Sequence, residues 1–241
     1  MFEFRSNQIQ RWQFADSESV FQPISYRSAT EFASVSEALS KRHAALKRAF
    51  DLFVAIAGLA LFALPMLAVA IAIRLDSPGA ALFRQRRIGL NGNAFHILKF
   101  RTMRDGPAAP GALHQATQDD PRVTHIGRWL RRTSLDEVPQ LLNVLTGAMS
   151  IVGPRPHAPG TRAAGRLFEN VTSRYAARHC VKPGMTGLAQ VRGWRGETDT
   201  EEKLLGRIDS DLEYIATRSV WLDLQIVWRT VFTVLSLRNA W

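Results

Sequence analysis

The sequence predicts a mainly helical α/β protein of monotopic type. A re-entrant helical hairpin, kinked at a proline, is expected to sit in one leaflet of a membrane and to carry a compact cytoplasmic domain with amphipathic interfacial helices. Three observations predict this. Residues 52–73 carry no charge, a stretch long enough for the roughly 30 Å hydrocarbon core of a bilayer. Basic residues flank it on both sides: Lys41, Arg42, Lys47 and Arg48 before it, Arg74, Arg84, Arg86 and Arg87 after it. Positive flanks favour the cytoplasmic side, and here both flanks favour the same side. Pro65 falls near the middle, where its missing amide hydrogen and its ring disrupt the helical turn before it. Residues 52–64 would reach only roughly 20 Å at about 1.5 Å per residue. A helix that enters, turns at Pro65 and returns satisfies all three observations.

The remaining elements follow in order. Residues 1–46 are polar and mixed in charge, with no apolar core near Met1, so no cleavable signal peptide is expected and the segment reads as a mobile tail, with a short helix over 31–48. The hairpin occupies 47–75, and residues 76–241 form the folded domain. Residues 80–83 and 94–100 read as strands around the turn Asn91-Gly92. Residues 106–120, with Pro107, Pro110 and Gly111, read as a flexible loop. Residues 123–132 read as a helix. A further helix is expected from Ser134 as N-cap to Leu145, with Asp136 and Glu137 in its first turn and Gly147 ending it. Residues 220–241 alternate bulky apolar groups with tryptophans and few charges, as an interfacial helix does; an ordinary core helix would read similarly.

Composition narrows the partners. The chain has 241 residues and a formal net charge of +10, a balance that suits nucleic acid, anionic lipid or phosphorylated small molecules. The apolar segment favours lipid. Basic residues interleave with glycine and proline loops rather than lining one helix, and no nucleic-acid-binding module is recognisable. The single cysteine, Cys180, excludes an internal disulfide and a cysteine-based metal cluster. The six histidines lack ligand spacing, and neither a P-loop, GxGxxG, HExxH nor GxSxG occurs.

What can do chemistry is a run of carboxylate and arginine. The segment Arg131-Arg132-Thr133-Ser134-Leu135-Asp136-Glu137 sets two adjacent acids just after two cations. Such acids repel unless positive charge stands beside them. A divalent ion or a phosphate with its counterions would supply it, leaving one carboxylate to attack phosphorus and the other to hold Mg²⁺. The pair also fits a plain helix start, where the dipole favours acids. In Gly153-Pro154-Arg155-Pro156 two prolines aim one guanidinium, a group shaped for bidentate contact with phosphate. Lys99 and Arg101 close the second predicted strand.

Taken together, these residues resemble a known family, the bacterial sugar transferases, small monotopic phosphoglycosyl transferases. The resemblance runs from Lys47 to about Thr230. It includes Lys47-Arg48 with Asp51, Pro65, Phe83-Arg84-Gln85 with Arg87 and Gly89, and Leu98-Lys99-Phe100-Arg101-Thr102-Met103. It continues through Asp120-Pro121-Arg122-Val123-Thr124, Ser134-Leu135-Asp136-Glu137-Val138-Pro139-Gln140-Leu141, Met149-Ser150-Ile151-Val152-Gly153-Pro154-Arg155-Pro156 and Val181-Lys182-Pro183-Gly184-Met185-Thr186-Gly187. Ala80 and Ala189 depart from residues common in the family, proline and tryptophan.

The resemblance implies a membrane enzyme of the bacterial inner membrane, on its cytoplasmic face. It would transfer a hexose 1-phosphate from a UDP-hexose to undecaprenyl phosphate, releasing UMP, as the first membrane step of exopolysaccharide synthesis. Asp136 matches the nucleophile, which would form an aspartyl sugar-phosphate, and Glu137 the acid that holds Mg²⁺. Lys99, Arg101, Arg131 and Arg155 match substrate-binding positions around the diphosphate. The block over 155–158 and the block over 191–200 are most similar to the glucose 1-phosphate branch, with galactose 1-phosphate the alternative. A non-catalytic membrane scaffold is the reading from another class, and it would tolerate loss of Asp136. Membrane lipid is an expected partner, nucleic acid is not, and a homo-oligomer is compatible with the sequence. The chain is expected to be the catalytic unit alone, without the additional membrane helices of larger relatives.

Overall fold

The computed structural model describes residues 41–104, 120–194, 196, 198 and 200–235. Most of the predicted tail and nearly all of the predicted 106–120 loop lie outside them. Helix α1, Lys41–Asp76, spans 36 residues, about 54 Å at ~1.5 Å per residue. It is continuous across Pro65. A proline inside a helix forfeits one backbone bond, and in apolar surroundings the helix is held by packing on neighbouring elements. Here Met66, Val69 and Ala70 supply that packing against Phe100 and Leu130. By length and composition α1 is able to serve as a membrane anchor.

Strands β1 (Leu82–Ile88) and β2 (Ala94–Phe100) pair antiparallel, with Leu82 opposite Phe100 and Ile88 opposite Ala94. The second strand lies where the sequence places it. The first begins later than expected and runs further, through Arg84, Arg86 and Arg87. Its side chains are largely exposed, so alternating arginines do not oppose a strand there. The connecting turn places Asn91 and Gly92 at positive φ, which suits both residue types.

Helix α2, His125–Thr133, starts two residues inside the predicted helix because Thr124 is its N-cap, accepting from the Gly127 amide. The helix expected from Ser134 is a correction. Ser134 adopts φ 58 as the left-handed C-cap of α2, a single 3-10 turn covers Leu135–Glu137, and α3 runs only Gln140–Leu145. Pro139 lacks an amide hydrogen and so favours a fresh helix start over continuation. The acids therefore stand on a tight turn between two helices.

Strand β3 (Ser150–Val152) pairs parallel with β6 (Gly184–Thr186). Between them lie the small antiparallel pair β4 (Arg162–Ala163) and β5 (Arg166–Leu167), helix α4 (Phe168–Val171) and a 3-10 stretch, Ser173–Cys180. Helices α5 (Leu188–Val191), α6 (Glu201–Thr217) and α7 (Val220–Leu235) complete the described chain. The main core gathers Ile97, Leu141, Val144, Met149, Ile151, Leu204 and Ile208, and Ala55 of α1 joins it. A second cluster joins Ile73 of α1 to Phe100 and Leu130. Both halves of α1 thus pack on one body, while Phe53, Ile56, Leu61, Leu64, Leu67, Ile71 and Leu75 are exposed on the helix. Helix α7 buries Ile226 and Asp223 and exposes Trp221, Leu224, Trp228 and Phe232. It is core helix on one face and apolar surface on the other.

Candidate active site

The carboxylates meet three elements. Strand β2 carries Lys99 next to its last residue, and Asn143 of α3 fixes that strand by accepting from the Leu98 amide at 2.9 Å and donating to the His96 carbonyl at 2.8 Å. The 3-10 turn presents Asp136 and Glu137. Beyond β3 the chain passes Gly153, where a Cβ would lie 2.6 Å from the Lys182 carbonyl oxygen. Only glycine allows that approach, which brings Pro154 and Arg155 over the turn.

Glu137 is the hub. Lys99 Nζ donates to its Oε1 at 2.7 Å, and the Arg155 guanidinium engages both oxygens, at 3.1 Å to Oε2. Burial works against its charge, but Arg155 and Lys99 outweigh that and hold the carboxyl well below its ordinary range. Arg155 is stabilised as a cation in return, chiefly by Glu137. Asp136 is different. It is buried, and Lys99 Nζ stands 3.9 Å from its Oδ2. Burial first, then the charge of Glu137, raise its pKa to about 6, against the opposing pull of Lys99, Arg131 and Arg155. Two adjacent carboxyls thus titrate far apart, one held ionised and one poised near neutrality, a pattern frequent where a site does chemistry.

Of the residues expected from sequence, the structure brings Lys99, Asp136, Glu137 and Arg155 together. Arg131 joins through its field on Asp136, with its Nε on Thr102 Oγ1 at 2.9 Å. The hydrogen bonds of Arg101 lead elsewhere, to the Ser77 and Pro78 carbonyls at 2.6 and 2.8 Å and to Ser77 Oγ at 2.9 Å. That guanidinium ties β2 to the chain leaving α1.

Several residues around the site were not named as site residues from sequence. Arg87 donates to the Pro156 carbonyl at 3.2 Å, and burial, then Arg155, lower its pKa to about 10. Arg178 donates to the Arg155 carbonyl at 2.9 Å and to Asp211 at 2.8 Å, fully buried. His157 lies between Arg178 and Arg207; burial and these cations keep it neutral, well below the usual imidazole range. The spacing of Arg207, Asp211 and Tyr214 places three polar groups on one helix face, but in sequence such a face reads as solvated surface.

Among the described residues no group of three or more histidine, cysteine, aspartate or glutamate side chains is placed to enclose a metal ion. The two adjacent carboxylates of Asp136 and Glu137 fit a cation that takes one or two protein carboxylates and completes its shell with phosphate and water. Mg²⁺ is such a cation.

Over residues 42–237 the chain matches the family model described as bacterial sugar transferase, and it belongs to that family. It is 52% identical over 198 residues to a UDP-glucose:undecaprenyl-phosphate glucose-1-phosphate transferase of Caulobacter vibrioides, covering 81% of this chain and 72% of the relative. It is 51% identical over 187 residues to the Escherichia coli K12 protein of the same name, covering 78% of this chain but 39% of the relative. An exopolysaccharide production protein, PSS, of Rhizobium leguminosarum is 50% identical over 191 residues, covering 79% of this chain and 96% of the relative. The chain thus spans about two fifths of the length of some curated relatives and nearly all of others.

Proposed function

We propose that this chain transfers a hexose 1-phosphate, glucose 1-phosphate before galactose 1-phosphate, from a UDP-sugar to undecaprenyl phosphate, as the first membrane step of exopolysaccharide synthesis. The observation that carries the reading is the buried Asp136–Glu137 pair under Lys99, Arg155 and Arg131. The names of relatives at about half identity supply the donor and acceptor.

The chemistry follows from charge and position. The diphosphate competes with Glu137 for Lys99 and Arg155, and a bidentate guanidinium suits phosphate as well as carboxylate. Asp136 attacks the sugar-proximal phosphorus through one carboxylate oxygen. A bond forms from that oxygen to phosphorus, and the bond to the bridging oxygen breaks. UMP leaves with the electron pair. A phosphate oxygen of undecaprenyl phosphate then attacks the same phosphorus, breaking the Asp136–phosphorus bond and restoring the carboxylate. Lys99, Arg131 and Arg155 hold the charge on the phosphoryl oxygens, the larger part of what phosphoryl transfer requires of a protein. Glu137, once its cations move to phosphate, would hold Mg²⁺. That ion neutralises diphosphate charge when bound.

The membrane placement belongs to the same reading. Arg48 donates to the Val144 and Leu145 carbonyls, and Ile73 packs on Phe100 and Leu130. With both halves of α1 packed on one body and its other face apolar, both ends of the helix lie on one side of the bilayer. The tryptophans of α7 then lie at headgroup level, and the domain faces the cytoplasm of the bacterial inner membrane. External labelling of a cysteine placed at Ser36, with Cys180 removed, would overturn the re-entrant placement.

The activity is tested by UMP release from UDP-glucose and UDP-galactose, with undecaprenyl phosphate and Mg²⁺, by the membrane-reconstituted full chain and its Asp136→Ala variant. Release with UDP-glucose, lost in the variant, is expected. Release that survives the substitution would overturn Asp136 as nucleophile.

A further inference from the structure

Helix α6 grips the segment that carries Arg155 at three points along one face. Arg207, Asp211 and Tyr214 stand four and three residues apart, on one side of the helix. Tyr214 donates its hydroxyl to the Val152 carbonyl at 3.1 Å, at the end of β3. Asp211 accepts from Arg178, which donates to the carbonyl of Arg155 itself at 2.9 Å. Arg207 lies 3.4 Å from His157 Nε2, two residues beyond Arg155. The three contacts fall before, at and after the guanidinium that reaches Glu137.

The grip continues to the membrane helix. The same hydroxyl lies 2.8 Å from Asp223 Oδ1, so its single proton is shared between Asp223 and the Val152 carbonyl, and Lys47 Nζ bridges Asp223 at 2.9 Å and Asp51 at 2.8 Å. Asp51 in turn accepts from Ser150 Oγ at 3.0 Å and the Ile151 amide at 3.1 Å. Strand β3 is therefore clamped at its start by α1 and at its end by α6, immediately before Arg155. Burial, with Asp223 beside it, keeps the Tyr214 hydroxyl protonated and able to donate. Buried ion pairs and polar networks add little stability over apolar groups of equal volume. What such a network supplies is a fixed geometry.

We infer that Tyr214, Asp211 and Arg207 are positioning residues for the donor, acting through Arg155. The inference rests on the reading of Arg155 as a contact to the UDP-sugar diphosphate. It separates the two substrates: loosening the cradle should weaken the UDP-sugar and leave the lipid acceptor alone.

A double-mutant cycle tests it, with Tyr214→Phe and Arg155→Lys singly and together in the full chain in membranes. Initial rates give the KM for UDP-glucose and for undecaprenyl phosphate. Tyr214→Phe removes one hydroxyl shared by two hydrogen bonds, so the UDP-glucose KM should rise about fivefold to tenfold. The lipid KM should stay within about twofold, and any fall in kcat should accompany the rise in the UDP-glucose KM, because Arg155 also holds charge on the reacting phosphoryl group. In the Arg155→Lys background the added effect of Tyr214→Phe should nearly vanish. Equal effects on both backgrounds, or equal losses for both substrates, would mean a merely structural role and overturn the inference alone. An unchanged UDP-glucose KM in Arg155→Lys would overturn the reading of Arg155, and the inference with it. Thermal melting of each variant is followed alongside, and Arg207→Gln, at the far end of the face, should show the same coupling to Arg155. A melting loss in place of that coupling would refute it.

Discussion

Asp136→Asn should make the folded protein more stable while abolishing turnover. In the folded protein the Asp136 carboxyl has a pKa of about 6 against an ordinary value of 3.8, because burial and then Glu137 outweigh Lys99, Arg131 and Arg155. Each pH unit of that rise is worth about 1.4 kcal/mol, so holding Asp136 ionised costs the folded state about 3 kcal/mol. Asparagine keeps the shape and removes the charge. The sign with pH follows from linkage. Between pH 3.8 and about 6 the folded protein binds the proton that the unfolded chain has released, so wild-type stability falls as pH rises through that window. The advantage of Asn over Asp is therefore complete above about pH 6 and absent below 3.8. At 2–4 °C per kcal/mol for a domain of this size, the variant should melt roughly 6–12 °C higher at pH 7.5. Thermal unfolding in detergent with EDTA at pH 7.5 and pH 4.5 measures this. An Asn variant that melts at or below wild type at pH 7.5, or that gains equally at both values, would refute the account of Asp136 as a charge held at a cost.

Other perturbations probe the surrounding parts. Lys99→Met removes the strongest favourable charge on Asp136, so the acidic limb of the kcat/KM profile should move to higher pH, with a rate loss of about 10²-fold at neutrality; an unmoved limb would show that Lys99 does not set that ionisation. Gly153→Ala would place a Cβ 2.6 Å from the Lys182 carbonyl, so it should cost about 1–3 kcal/mol and raise the UDP-sugar KM, seen by melting and by rates. Trp228→Cys on the exposed face of α7, with Cys180 removed and the new thiol labelled with a fluorophore, should be quenched by lipids carrying a nitroxide at headgroup depth; no quenching would mean that α7 does not lie on the membrane.

The sequence was most informative where one physical rule dominated. The uncharged run over 52–73 and its basic flanks announced an anchor, and the alternation in 94–100 located β2 to the residue. Ordered motifs named Lys99, Asp136, Glu137 and Arg155, and the fold brings these four together. Ser134 misled because serine before two acids is a strong N-cap signal, while Pro139 and the left-handed backbone at Ser134 divide that segment into a cap, a 3-10 turn and a short helix. Arg101 shared a motif with Lys99, yet its guanidinium donates to Ser77 and Pro78, because Arg101 stands one residue beyond β2, beside the chain that leaves α1. The cradle on α6 was not legible before the fold was known. Its partners lie some 50 to 60 residues away in sequence, and a polar face on a helix reads as solvated surface until something is packed against it.

The central claim is a covalent sugar-phosphate on Asp136, and isotope exchange tests it most directly. Labelled UMP is incubated with unlabelled UDP-glucose, Mg²⁺ and the membrane-reconstituted chain, without undecaprenyl phosphate. If Asp136 takes the sugar phosphate and releases UMP before any acceptor arrives, label enters UDP-glucose in the wild type and not in Asp136→Asn. No exchange by a preparation that turns over fully once lipid is added would contradict the covalent intermediate and point to direct transfer between donor and acceptor.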